Sequence, residues 1–589
     1  MLVLHEIKIH AAFIPIFTFS AITSFVFLAG LFQIMPEAVN LIFYIGLLLC
    51  GRYAYLFWNK KYVLEEIAVP STVMLVVLTV LFMFLLKGLA LLHYDNFSHW
   101  GLIIKEMFDL NSLPDDRTVI QFKNYPPGSA VFIYFINKII GYSESHALMA
   151  QGFLVAANLA VLLVYCNWKK PSQILLSIVS GFTLLIVIKA NIYNLLVDTL
   201  LGLVAVSITV IAYYYRKNWL KSLIATMPIL ILLLLVKDSG KIFFIFNIAL
   251  LLWFVISYES KKKTKALVFV TIFAIFIPLF TSFLWGEYTD KAYPNTTYED
   301  NKFAVTLDTL SLSGIDKSEE AISNLGPDLL QAATKFDANS NVESLFWLNS
   351  ISILFIIGIY LHRREKAKLL ISTTVLINVF YAFYIAALYL MYLFLMPEIE
   401  MVYLAGFYRY HSTIVIYCIG LLMTALIQEW SKSDLIQKHI LLKLGTMICL
   451  ITVFVFPFHE HIKSITTRPE VANSLRMDLK NAYDKIRYRD SENPTVLYYS
   501  SESQGDRGYL RNMVLYEMLS WRFHITYKLD GEEAKQSFLD EMKKSDYIIV
   551  LDTDKNFKSF FSTYVDSNNI EGVYKVNNSD NGLTTVPVH

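Results

Sequence analysis

The sequence predicts an α-helical polytopic membrane protein with a small α/β domain at its C-terminal end. Three observations carry that expectation. Hydrophobic residues make up 56% of the 589 positions and charged residues only 17%, where soluble domains hold about a quarter charged. The apolar residues are gathered into long runs rather than spread along the chain. After residue 457 the pattern changes to short apolar segments separated by polar turns. A formal net charge of +1 offers no basic surplus for nucleic acid, so none is expected as a partner.

Runs of about 17–25 apolar residues, the length that crosses a ~30 Å hydrocarbon layer, lie at about 11–33, 37–58, 69–92, 145–166, 172–190, 193–214, 220–237, 241–257, 266–285, 344–361, 368–396, 410–428 and 440–457. About 13 transmembrane helices are therefore expected. The stretch "GSAVFIYFINKII" at 128–140 is too short to count and reads as a juxtamembrane helix in the first external loop. With it left out, the basic clusters "NKK" (59), "NWKKPSQ" (167), "YRKNWLK" (215), "ESKKKTK" (259), "HRREKAK" (362) and "EWSKSDLIQK" (429) all fall on one side, as basic residues do on the cytoplasmic face.

That count places the N-terminus in the cytoplasm and the C-terminus outside. The external polar regions are then about 93–144, about 286–343, 398–411 and the tail. No small-residue cleavage site follows the first apolar run, so it is expected to be a retained helix. The four cysteines, Cys50, Cys166, Cys418 and Cys449, sit in apolar segments and offer no disulfide framework. The expected location is a bacterial plasma membrane. Two domains follow: a transmembrane domain over 1–457 and an extracytoplasmic α/β domain over 458–589. In the latter, "TVLYYSS", "FHITYKL" and "SDYIIVLD" read as strands and "EEAKQSFLDEMKK" as a helix.

Several cations interrupt the outer helix ends: Lys87, Lys189, Lys237, Lys241 and Arg409, in company with Asp198 and Asp238. Ionisable groups at membrane depth are costly and mark substrate pathways. Gathered on one face, these would neutralise an anionic head group such as a lipid phosphate, for which arginine's fork is best suited. The plainer alternative is that each lysine snorkels to the interface or pairs with a neighbouring acid.

The first external loop opens on "HYDNFSHWGL", residues 93–102. Asp95 and His99 are four apart, which sets them on one face of a short helix. A carboxylate against apolar walls can act as a general base on a hydroxyl. The same residues also fit a structural role, with Asp95 and Ser98 capping a short helix and Trp100 in the aromatic belt. The loop continues with "FKNYPPGSAVFIYFINKIIG".

This order, an outer-end acid, a helical loop, a Tyr-Pro-Pro turn and a short helix, resembles the GT-C superfamily of membrane glycosyltransferases. It is similar in particular to the protein O-mannosyltransferase and aminoarabinose transferase branch. The pattern of Asp95, His99, Trp100 and Gly101 resembles the Asp-Glu-x-His-Phe-Gly of the mannosyltransferases. It departs from it in having Asn96 where a second acid usually follows and one extra residue before His99. The motif support spans about 69–215.

The resemblance implies transfer of a sugar from a polyprenyl-phosphate-linked donor to an extracytoplasmic acceptor, with inversion. Asp95 would be the base. Lys189, Lys237, Lys241 and Arg409 would stabilise the departing phosphate. His99, Trp100 and Tyr125 would position the sugar or the loop. The acceptor class, a glycan, lipid or protein, is left open. Some members of the superfamily use a divalent metal ion and this branch does not; Asp109, Asp115 and Asp116 could supply ligands, but simple solvation is the expectation and no metal ligand is assigned. The Tyr-rich stretch 380–394 reads most simply as a packed helix face, with an aromatic groove for an isoprenoid tail as the other reading. Two other functions fit many of the same features: a transporter or flippase of lipid-linked saccharides, and an envelope polysaccharide polymerase or ligase.

Overall fold

The computed structural model describes residues 2–59, 64–188, 192–258, 263–294, 317–336, 341–363, 367–487, 493–565, 570–579 and 582–588. The chain forms two compact units, and both draw on the first polar loop. One comprises the residues up to Gly88, Leu110–Leu113 and Phe122–Arg468; the other comprises Leu89–Asp109, Pro114–Gln121 and the chain from Pro469.

The first unit is helical. Ten of its described helices are long and apolar enough to cross a membrane, from Ala11–Leu31 to Ile440–Thr466. The protein is accordingly an integral membrane protein. The three other expected spans are also helices, of a different kind. Pro70–Leu86 and Asp198–Tyr214 have 17 residues each, about 26 Å of helix. Glu144–Val161 carries inward-facing amides instead of a uniformly apolar surface: Gln151 Nε2 donates to the carbonyls of Asn194 and Leu196, and Asn158 Oδ1 accepts from Ser207 Oγ at 2.7 Å. The expected short helix runs over Gly128–Ile140, about 20 Å, and buries most of its first two turns.

Helix Phe407–Lys432 is at the centre of the unit, with nine-tenths of its apolar stretch buried. Its closest neighbour is Asp198–Tyr214. A Cβ on Gly202 would lie 2.6 Å from the Thr413 carbonyl oxygen, so the two backbones touch there. The helix of the Tyr-rich stretch, Lys368–Phe394, buries Tyr384, Leu388 and Tyr392 at spacing four while Phe383 and Leu390 are exposed. This is the one-sided face expected of a peripheral helix. Met35–Trp58 buries only a few side chains and presents the rest, apolar, to its surroundings.

The second unit holds a five-stranded sheet of order β2-β1-β3-β4-β5, with β1 Val496–Tyr499, β2 Phe523–Thr526, β3 Tyr547–Val550, β4 Gly572–Ser579 and β5 Gly582–Pro587. The first three are parallel, and β3, β4 and β5 pair antiparallel. Helices Tyr509–Met518 and Gly531–Lys544 make the crossovers that parallel strands require. Strands β1 and β3 are buried at every position, as parallel strands covered on both faces are. One face is closed by Tyr499, Phe538, Phe557, Phe561 and Tyr574, with the Tyr499 and Phe557 rings stacked at 3.6 Å.

Segment 89–109 is tied into this unit by charge. Lys105 Nζ donates to the Tyr516 carbonyl at 2.6 Å and pairs with Glu517 at 3.4 Å. Arg476, fully buried, pairs with the same carboxylate and lies over the rings of Phe97 and Tyr516 at 5.3 and 5.2 Å. Glu106, 3% exposed, accepts from the Val119 amide at 2.9 Å. Burial pushes its carboxyl up to about 7, against the lowering effect of that hydrogen bond. Because the folded value lies above the unfolded one, the unit gains stability from protonated Glu106 below about pH 4.5 and loses it as pH rises through about 7. The swing is on the order of 3 kcal/mol. Glu106→Gln is expected to flatten the pH dependence of thermal unfolding over that window. An unchanged slope would assign it to other groups.

Candidate functional site

In the first unit three helix ends bring ionisable residues together. Asp198 is the first residue of Asp198–Tyr214, where the amide-rich helix start favours an anion. Lys237 follows the last turn of Trp219–Val236, and Arg409 lies in the first turn of Phe407–Lys432. Lys237 Nζ donates to Asp198 Oδ1 at 2.6 Å, and Arg409 Nε is 3.3 Å from Oδ2. Asp198 and Lys237 are buried, whereas the Arg409 side chain is 27% exposed. Two cations share one carboxylate, which leaves a formal excess of one positive charge.

Tyrosines surround the triad. The Tyr410 ring has Lys237 Nζ 4.8 Å from its centroid and the Arg409 guanidinium 5.1 Å away, and its hydroxyl accepts from Arg409 at 3.2 Å. Tyr384 donates to the Tyr410 carbonyl at 3.1 Å. Tyr125, in the Tyr-Pro-Pro turn, belongs to the same group: burial pushes its phenol up, Tyr410 pushes it further, and Arg409 opposes both. Its ring stacks on Phe122 at 5.0 Å.

The expected cations therefore have different fates. Lys237 and Arg409 meet at one carboxylate. Lys241 is exposed and pairs with Asp238 at 2.6 Å, the plainer alternative raised by its sequence, and an exposed pair of this kind contributes little. Lys189 lies outside the described residues. Asp198 is the hub, because an ammonium buried without a counter-charge is far costlier than a paired one. Its signal in the sequence is an acid inside an apolar run. Tyr410 carried no such signal, since chain-neighbour patterns do not show which ring a distant lysine will meet.

The close approach at Gly202 supports the triad, for Gly202 lies one turn after Asp198 and Thr413 one turn after Arg409. Gly202→Ala is expected to push these helices apart at a cost of about 1–3 kcal/mol. Thermal stability should fall, and the ion pair of Arg409 with Asp198 should loosen. An unchanged melting temperature would show that the contact relaxes freely.

Asp95, His99 and Trp100 lie in the second unit. Residues Asn96–Trp100 form a π-helical turn, closed by the Gly101 amide donating to the Asn96 carbonyl at 2.8 Å. Asp95 precedes it with its carboxylate making no capping bond to the turn, and its amide donates to His93 Nδ1 at 3.1 Å. The capping role considered for Asp95 is thus not what its side chain does. Asp95 is half-buried, while His99 and Trp100 are buried with their rings edge-to-face at 4.7 Å. Glycine follows because a Cβ on Gly101 would lie 2.6 Å from Leu91 and 2.8 Å from the Asn96 carbonyl oxygen. Phe97 anchors the turn between Tyr509 and Tyr516, and Tyr509 donates to the Leu92 carbonyl at 2.7 Å.

Among the described residues no group of three or more His, Cys, Asp or Glu side chains is arranged to hold a metal ion. Asp115 is engaged by Arg117 at 2.6 Å.

No protein-family model matches the chain, and no curated protein matches it. Among solved structures it is similar to ArnT from Cupriavidus metallidurans bound to undecaprenyl phosphate, with 10% identity over 88% of this chain and 98% of that one and a TM-score of 0.47. The apo form of the same protein gives 0.45. The Archaeoglobus fulgidus oligosaccharyltransferase, in complex with zinc and sulfate, is 12% identical over 87% of this chain and 73% of its own, with a TM-score of 0.42.

Proposed function

We propose that the protein is a membrane glycosyltransferase of GT-C type that moves a sugar from a polyprenyl-phosphate-linked donor to an extracytoplasmic acceptor, with inversion at the anomeric carbon. The observation that carries this reading is the triad of Lys237 and Arg409 on Asp198, a net-positive group built at the ends of apolar helices. A phosphodiester linking a sugar to a prenyl chain bears one negative charge, which matches the excess of one positive charge. Its tail belongs in hydrocarbon, where the helices are.

In this reading the acceptor hydroxyl attacks the anomeric carbon as its proton passes to Asp95. The bond from that carbon to the phosphate oxygen breaks, and prenyl phosphate leaves with the electron pair. Lys237 and Arg409 stabilise the charge that grows on the phosphate, an effect strongest where water is excluded. Asp198 holds both cations in place, and Tyr410 and Tyr125 shape the surrounding wall. Single displacement gives inversion. His99 and Trp100, both buried, position the turn that carries Asp95.

The test is transfer of labelled sugar from a panel of polyprenyl-phosphate sugars in membranes containing the wild-type chain. Label in a product that depends on the chain and on one lipid donor supports the reading. Transbilayer movement of lipid-linked saccharide without any transfer would replace it with the flippase reading.

A further inference from the structure

Helices Asp198–Tyr214, Gly240–Tyr258, Lys368–Phe394 and Phe407–Lys432 part around a cavity of about 590 Å³. It lies away from the triad. Thr209 and Tyr213, which line it, stand 11 and 15 positions beyond Asp198 on the same helix, about 16 and 22 Å along the axis. On helix Lys368–Phe394 the lining runs from Leu369 to Phe380, again about 16 Å. That is roughly half of a ~30 Å hydrocarbon core, the depth of one leaflet. The volume is within the range of ligand sites.

The walls are apolar, and the cavity borders the lipid-facing surface: Trp253, Val375 and Val379 line it and are each more than half exposed. The unpartnered polar groups gather at one end. Gln428 is 6% exposed, yet its Nε2 has no hydrogen-bond partner among the described residues, and neither has the buried hydroxyl of Tyr165. Both line the cavity. Beside them Arg216 lies over the Tyr213 ring at 4.0 Å and is close enough to Tyr165 to act on it electrostatically. Its buried Nε–H is likewise without a partner among the described residues. Glu429, at the same end, is offset by Lys432 at 3.8 Å, and Lys217 adds an exposed cation next to Arg216. Buried donors left unpaired are costly, and here they rim an apolar space.

We propose that this cavity binds an anionic glycerophospholipid from the leaflet at the basic-loop end, with one acyl chain in the apolar part and its phosphate at Arg216. Gln428 and Tyr165 donate to its ester or glycerol oxygens. Charge and depth favour this occupant over the prenyl donor, whose phosphate is assigned to the triad at the other end of Asp198–Tyr214. The proposal rests on the transferase reading only in giving the prenyl donor's phosphate to the triad.

Native mass spectrometry of the delipidated full-length protein, titrated with a phosphatidylglycerol or with the phosphatidylcholine of the same chains, tests it. Wild type is expected to retain phosphatidylglycerol about tenfold better. Arg216→Gln should remove that preference while leaving phosphatidylcholine retention in place. Ala249→Trp, at an exposed position of the lining, should lower retention of both about tenfold by filling the cavity, with the melting temperature unchanged. If that variant melts early, Val379→Trp blocks the same space from another exposed position. Equal retention by wild type and the blocked variants, absence of a phosphatidylglycerol preference, or one-for-one displacement by prenyl phosphate would each overturn the assignment.

Discussion

Asp95→Asn is expected to lower sugar transfer by about 10²–10⁴-fold, the contribution of a well-placed general base. The amide matches the carboxylate in volume, and the carboxylate makes no capping bond to the turn it precedes, so folding and membrane insertion should be retained. The side chain is half-buried on a turn anchored by Phe97 between two tyrosines. The check is the rate with a saturating lipid donor, alongside protein abundance and melting temperature. Activity within a few-fold of wild type would remove Asp95 as the base.

Arg409→Ala is expected to reduce kcat/KM for the lipid donor by about 30–100-fold, equivalent to roughly 2–3 kcal/mol of charge-assisted contact. The dependence on acceptor concentration should change little. The variant leaves Asp198 paired with Lys237, so the buried carboxylate keeps a counter-charge and the helix ends stay together. Asp198→Ala would instead leave Lys237 buried without its partner and destabilise the fold. Arg409 is therefore the informative substitution, being the more exposed cation of the triad. A defect confined to the acceptor would contradict a phosphate role. Lys241→Ala offers the contrast: its exposed pair with Asp238 predicts near wild-type behaviour.

Much of the helical unit was legible in the sequence because long apolar runs carry their own instruction: in hydrocarbon, backbone groups must be satisfied within the segment. The expected spans that form shorter or more polar helices show where this signal weakens. Glu144–Val161 hides amides that bond to carbonyls ahead of Asp198 and to Ser207 of the next helix, and Asp198–Tyr214 begins at a charge that only distant residues neutralise. In the tail, "TVLYYSS", "FHITYKL" and "SDYIIVLD" became β1, β2 and β3, since buried parallel strands read as short apolar runs. The β4–β5 hairpin was not read. Its residues "GVYKVNNS" and "GLTTVP" are polar enough to resemble loop, and their pairing with each other and with β3 is what makes them strands.

The membrane class, most helices, the parallel strands and the residue types able to grip a phosphate or accept a proton can all be read along the chain. Those properties are local, set by hydrophobic period, length and charge. Which charges meet was left to the fold. It joined Lys237 and Arg409 at Asp198, gave Lys241 to Asp238, and set the Asp95 turn against Tyr509 and Tyr516. Buried charges must find partners, and the partner is whatever group the folded helices bring within about 3 Å, however far away it lies in the chain.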